Sequence, residues 1–134
     1  TAGYLAGDHV WLRHRLGLLT EDLEVELAHA RDEHQTMVEA LRRRGHLHPG
    51  DSVDEVESCV LAMHRALLDT PSLCLNVALT DAVGDRFAQN QPGTIDEYPN
   101  WRVPLTGPDG QQLWLEDIYA SERAMRLAAV MNQL

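Results

Sequence analysis

Apolar positions from Leu23 onward recur at steps of 4, 3, 4, 3 and 4, through Leu27, Ala30, Met37 and Leu41 with His34 falling in line. That spacing is one face of an α-helix. Thr20 stands where a cap is needed, and Glu21, Asp22 and Glu24 load the positive end of the helix dipole. Arg42, Arg43 and Arg44 load the other end before Gly45. After the turn "HLHPGD", Ser52 and Glu55 have capping-box spacing. Val53, Val56, Val60, Met63 and Leu67 then repeat the seam until Pro71 ends it. Residues 21–69 therefore predict a helical hairpin. Upstream, Asp8 is in position to cap a short helix over residues 9–16 that stops at Gly17.

The period then changes. "LCLNVAL", Leu73 to Leu79, is a short apolar run between Pro71 and the turn-like "TDAVGD", with the length and composition of a buried parallel strand. A parallel strand needs neighbours on both sides, and the rest of the chain offers no second convincing one. Residues 90–105, "NQPGTIDEYPNWRVPL", carry three prolines and fit neither a regular helix nor a central strand. Residues 115–133 predict a last helix with Ala124, Leu127, Ala128 and Met131 on one face. The fold class expected is mainly α with one or two short strands, in an order that suggests the C-terminal part of a TIM (β/α)8 barrel.

Composition narrows the chemistry. Acids outnumber bases by 21 to 11 for a formal charge of −10, which opposes binding to nucleic acid or to an anionic membrane surface. No apolar run approaches the roughly 18 residues of a spanning helix, and the start has no leader-like pattern, so a cytoplasmic protein is expected. The chain begins at Thr1 without methionine, as a piece of something longer would. All 11 bases are arginine, a bias better attributed to codon usage than to function.

Most of the reactive residues have simpler readings. His29 and His34 are five apart and fall on different helix faces, and His46 and His48 lack a third ligand, so no metal is expected, nor any other cofactor. Cys59 and Cys74 belong to no C-x-x-C pair and read as small buried hydrophobes. Asp96 and Glu97 are neighbours in a loop, the arrangement of solvated charges rather than of a glycosidase pair. Tyr98, Trp101, Asn90 and Asn100 are another matter. Aromatic faces stack on sugar rings and amides bond hydroxyls, so on a proline-braced loop they make a carbohydrate rim; the alternative is a crossover loop whose Trp101 plugs the core.

"PSLCLNVALTDAVGDRFAQNQPGTIDEYPNWRVPL", with N-x-P-G-T followed by Y-P-N-W-R, closely resembles the C-terminal region of the amylomaltases, the 4-α-glucanotransferases or disproportionating enzymes of glycoside hydrolase family 77. "TAGYLAG" resembles the segment just after the family's His-Asp motif at barrel strand seven, and "LCLNVAL" resembles strand eight. The resemblance implies a (β/α)8 barrel that cleaves an α-1,4-glucan with retention and passes the segment to another glucan's 4-hydroxyl. It uses an aspartate nucleophile, a glutamate acid and base, and a stabilising aspartate, all upstream of Thr1. This chain would then contain no catalytic residue. It would supply substrate-binding residues, Asn90 foremost, with Pro92, Gly93, Asn100 and Trp101, toward a maltooligosaccharide. Its partner would be the remainder of the barrel in cis; alone, it would self-associate or pack residues 73–79 against its own helices. Gln91 departs from the family, where an apolar residue is commoner. The rival reading is a free-standing helical module that dimerises through the Leu23–Leu41 seam.

Overall fold

The computed structural model describes residues 1–50 and 54–133. Among these the regular structure is helical: α1 Ala2–Leu5, α2 Asp8–Arg15, α3 Leu23–Arg43, α4 Glu55–Leu68, α5 Leu79–Val83, α6 Leu115–Tyr119 and α7 Glu122–Met131. The expected hairpin is α3 with α4. α3 ends because Gly45 adopts φ +75°, a left-handed conformation closed to most residues, which lets the Gly45 and His46 amides bond the carbonyls of Arg42 and Leu41.

α4 is the most buried helix, with Cys59, Val60, Leu61, Ala62 and His64 all withdrawn from solvent. One flank meets α1 and α3: Leu5, Cys59 and Val60 form a cluster on which Met37, Val38, Val56 and Met63 pack. The other meets α5 and α7, where Leu61, Leu127 and Val130 pack with Leu68 and Ala82. The His64 ring closes its own polar account by donating from Nδ1 to the Val60 carbonyl at 2.8 Å.

Charge secures α7 to the start of α4. Asp54 caps α4, accepting from the amides of Val56 at 2.9 Å and Glu57 at 3.3 Å, and its other oxygen binds Arg123. Glu57, only 5% exposed, receives Arg126 Nε at 2.8 Å and lies 3.6 Å from Arg123. A carboxylate this buried is tolerable because two guanidinium groups and the helix dipole face it.

Several expectations need correction. Asp22, not Thr20, occupies the N-cap of α3, and Thr20 instead bonds Glu26 through its hydroxyl at 3.1 Å. Gly7 precedes α2, while Asp8 enters the helix and forms a bidentate pair with Arg86 at 2.6 and 2.8 Å. Ser52 and Val53 lie outside the described residues. The last helix is two, because Ser121 caps a new start by accepting from the Ala124 amide at 3.3 Å. Its buried face is Leu127 and Val130, with Ala128 left exposed.

Residues 73–78 are not a strand. They have no ladder partner among the described residues, and the only β-pairing there is an isolated Thr106–Gln112 bridge. Extended backbone holds a strand only when a neighbour satisfies its amides and carbonyls, and the residues around this run are helical or irregular. Leu73 is fully exposed, Cys74 is exposed rather than buried, and Leu79 has joined α5.

The Asp54–Arg123 clamp makes stability acid-sensitive in a defined direction. Burial alone raises the Asp54 pKa, but the Arg123 hydrogen bond and the two amides outweigh it and hold the carboxyl below its ordinary 3.8. A carboxylate depressed in the folded state stabilises fully above the unfolded value, and that contribution disappears as pH falls through the lower folded value. Melting temperatures of the chain and of Asp54→Asn, measured from pH 6 down to pH 2.5, should therefore converge below about pH 4. A gap between them that stays constant over this range would show that Asp54 carries none of the acid response.

Candidate functional site

The irregular segment from Arg86 to Leu105 is rooted on one side chain. Asp85 is 2% exposed and follows α5, where its own amide bonds the Thr80 carbonyl at 2.9 Å. Its carboxylate accepts from the Phe87 amide at 2.8 Å, the local turn that a short acidic side chain makes two residues on. It also accepts from the Thr106 hydroxyl at 2.9 Å, the Gln89 side-chain amide at 3.3 Å and the Thr106 amide at 3.5 Å. The outgoing and returning ends of the loop thus meet on one buried group.

Further along, the two legs are stitched together. Tyr98 donates its hydroxyl to the Ala88 carbonyl at 2.5 Å, and the Trp101 amide donates to the Gln89 carbonyl at 2.7 Å. Burial, with the nearby Asp85 charge, pushes the Tyr98 phenol above its ordinary 10.0, which keeps the donor protonated. Between the legs, Pro92 and Gly93 form a tight turn. Gly93 has φ +87°, the conformation a type II turn requires at its third residue, and the Thr94 hydroxyl donates to the Gln91 carbonyl at 2.7 Å.

The two asparagines have separate fates. The Asn100 side-chain oxygen accepts from the Gln91 amide at 2.7 Å, and its nitrogen donates to the Thr94 hydroxyl at 2.8 Å. That amide is spent inside the loop and is not a rim contact. Asn90 is exposed, and its side chain bonds no other described residue. Pro92 and Gly93 are exposed beside it. Trp101 is 76% exposed with φ +61°, so it is not the plug of a core. Its ring stands on the surface on a backbone conformation that few non-glycine residues adopt.

A cleft of about 1020 Å³ separates the loop from the N-terminal helices, with Tyr4, His9, Trp11, Phe87 and Tyr98 among its walls. His9 stacks on Tyr4 with ring centroids 4.4 Å apart, and burial lowers its pKa below the ordinary 6.5. The acids lining the cleft are already engaged: Asp8 holds Arg86, and Asp109 accepts from the Gln111 amide at 3.1 Å. The cleft therefore offers apolar and aromatic surface rather than an acid–base pair. Among the described residues no cluster of three metal-ligating side chains occurs, and no helix is long and apolar enough to cross a membrane.

The chain has counterparts among known proteins. Residues 2–109 match the family model of glycoside hydrolase family 77, 4-alpha-glucanotransferase. The chain belongs to the 4-alpha-glucanotransferase family. It is 61% identical over 132 residues to 4-alpha-glucanotransferases of Mycobacterium tuberculosis and Mycobacterium bovis, covering 98% of this chain and 18% of theirs. The crystal structure of amylomaltase from Corynebacterium glutamicum superposes with a TM-score of 0.85 at 35% identity, over 97% of this chain and 20% of that one. The chain thus spans about a fifth of the length of these relatives. In this 4-alpha-glucanotransferase family member, sequence reasoning found Asn90, Pro92 and Gly93 as neighbours but missed Asp85 and Thr106, whose signals are an acid just past a helix-ending glycine and a hydroxyl at the far end of a proline-rich loop.

The separate fates of Asn100 and Trp101 are measurable. Trp101→Ala should leave the melting temperature within about 2 °C, since truncating an exposed ring removes little packing. A loss of 10 °C or more, in the range of the roughly 3–5 kcal/mol that a buried tryptophan costs, would restore the core-plug reading. Asn100→Ala should accelerate amide exchange at Gln91 at least about tenfold, because a lost bond to a half-buried donor costs about 1–3 kcal/mol. Unchanged exchange there would mean that Asn100 does not hold the loop.

Proposed function

We propose that the chain is the C-terminal part of a retaining 4-α-glucanotransferase, carrying the substrate-rim loop 90–105 and the last helical layer, with Asn90 as a direct contact to an α-1,4-glucan. The observation that carries this is the division of labour between the loop's amides: Asn100 is consumed internally, whereas Asn90 is exposed and uncommitted beside a turn that fixes its direction. Barrel enzymes act at the C-terminal ends of their strands, where a loop following strand eight begins. A side-chain amide there supplies a sugar hydroxyl with both a donor and an acceptor. The exposed Trp101 ring offers a face for a pyranose, the second half of the rim. Pro92 and Gly93 act through shape rather than contact. The chemistry, covalent capture by an aspartate with a glutamate as acid and base, would be carried by residues outside this chain.

The rival reading, dimerisation through the α3 seam, loses part of its surface: the seam residue Met37 packs against the cluster of Leu5, Cys59 and Val60 within the same chain, and Leu41 is buried.

In a full-length enzyme, Asn90→Ala should lower maltotriose disproportionation about tenfold, equivalent to ~1.4 kcal/mol and close to what one neutral hydrogen bond contributes, with the melting temperature nearly unchanged. An early-melting variant with full activity per folded molecule would make the residue scaffold instead. The purified 134-residue chain alone should release no glucose from maltotriose, because the three carboxylates are assigned elsewhere. Release above a buffer blank would contradict that assignment.

A further inference from the structure

We propose that Asp85 is the positioning residue of the glucan-contacting loop: its buried carboxylate, tied to Phe87, Gln89 and Thr106, sets where Asn90 stands. The inference rests on the reading of Asn90 as a glucan contact and adds to it the group that determines the contact's geometry.

Three observations converge on Asp85. It is among the most deeply buried side chains, yet its partners are two backbone amides, a hydroxyl and a side-chain amide, all neutral, so it is not half of an ion pair clamping helices together. Phe87 and Gln89 stand at the outgoing end of one irregular segment and Thr106 at its return, 21 residues from Asp85 in sequence. Neither apolar cluster includes any residue of the segment, so the helical core is complete without this carboxylate.

The route from Asp85 to Asn90 is short. Gln89, whose side chain donates to Asp85, is the residue immediately before Asn90, and its carbonyl receives the Trp101 amide at 2.7 Å. A shift of Gln89 therefore moves Asn90 and the return leg carrying Trp101 together. On the other side, Asp85 is anchored to α5, whose Ala82 packs on the cluster of Leu61, Leu127 and Val130. The carboxylate transmits the rigidity of the core to a loop that has no helix or sheet of its own. A carboxylate is suited to this because it only accepts, and here it meets four donors. An asparagine of the same shape would turn one oxygen into a donor facing another donor.

The test uses a full-length enzyme carrying Asp85→Asn, Asn90→Ala, both together, Thr106→Val and Thr106→Ser. Activity toward maltotriose is expressed per folded molecule, and amide exchange is followed in peptides covering 87–106. Asp85→Asn should raise exchange across these peptides with α4 and α7 unchanged, and lower kcat/KM about tenfold, mainly through KM. Added to Asn90→Ala it should cost less than about twofold more, the non-additivity expected of a residue that acts through its neighbour. Thr106→Val should reproduce part of the defect and Thr106→Ser should restore wild-type behaviour. Unchanged exchange in 87–106, or, where Asn90→Ala by itself lowers activity, losses that multiply fully in the double variant, would overturn the proposal. If Asn90→Ala alone is silent while Asp85→Asn still loosens the loop and raises KM, the positioning role stands and only Asn90 fails as the contact.

Discussion

The burial of α4 on both flanks is the constraint on which the remaining architecture depends. A helix with Cys59 and Val60 on one side and Leu61 on the other cannot be solvated, so it requires a helical layer on each flank. α1 and α3 supply one, α5 and α7 the other. Burying both flanks brings Glu57 inside as well, and Arg123 and Arg126 of α7 answer it. The same contact fixes α7, α7 holds α5, and Asp85 follows the end of α5. Loop geometry is thus inherited from core packing through a short series of contacts, each with an identifiable cause.

What could be read from the sequence follows from the range of the interactions involved. The hairpin was legible because its seam, terminal charges and Gly45 all lie within or immediately beside the helices they specify. The caps were misplaced where a side chain found a distant partner: Asp8 left the capping role for Arg86, 78 residues away. The last helix was read as continuous because its apolar positions nearly keep period through residue 120, whereas the Ser121 cap needs only one hydroxyl to interrupt it. The loop was half legible. Motif and composition gathered Asn90, Asn100 and Trp101 into one loop, but nothing local distinguishes an asparagine whose amide is consumed by Gln91 and Thr94 from one that faces solvent. Asp85 was invisible for the same reason, since its significance lies in Thr106, a partner 21 residues on.

The loop shows how an irregular segment can be made stiff without secondary structure. Its backbone polar groups are satisfied by side chains and by cross-leg bonds, with Asp85 at the base, Tyr98 and the Trp101 amide in the middle, and Asn100 at the tip. Prolines at 92, 99 and 104 reduce the entropy to be lost on ordering. The left-handed backbone at Trp101 fits the same scheme, because that conformation goes with the closing bond from its amide to Gln89. A loop so restrained holds Asn90 and an aromatic ring in place in advance, which on the proposed glucan-binding reading is the advantage of preorganisation.

The run from Leu73 to Ala78 marks where this self-sufficiency stops. Helices satisfy their amides and carbonyls from within, and α3, α4 and α7 therefore form wherever their faces can be buried. An extended segment depends wholly on its neighbours. Here Leu73 and Val77 are exposed, and no adjacent strand exists among the described residues. The same dependence explains why composition identified the segment as a strand while the chain does not make it one: "LCLNVAL" encodes a preference for burial on both faces, and the described residues do not supply them. The chain spans about a fifth of its relatives' length, and among its described residues the regular elements are those able to satisfy their backbone locally, whereas this extended run finds no partner strand.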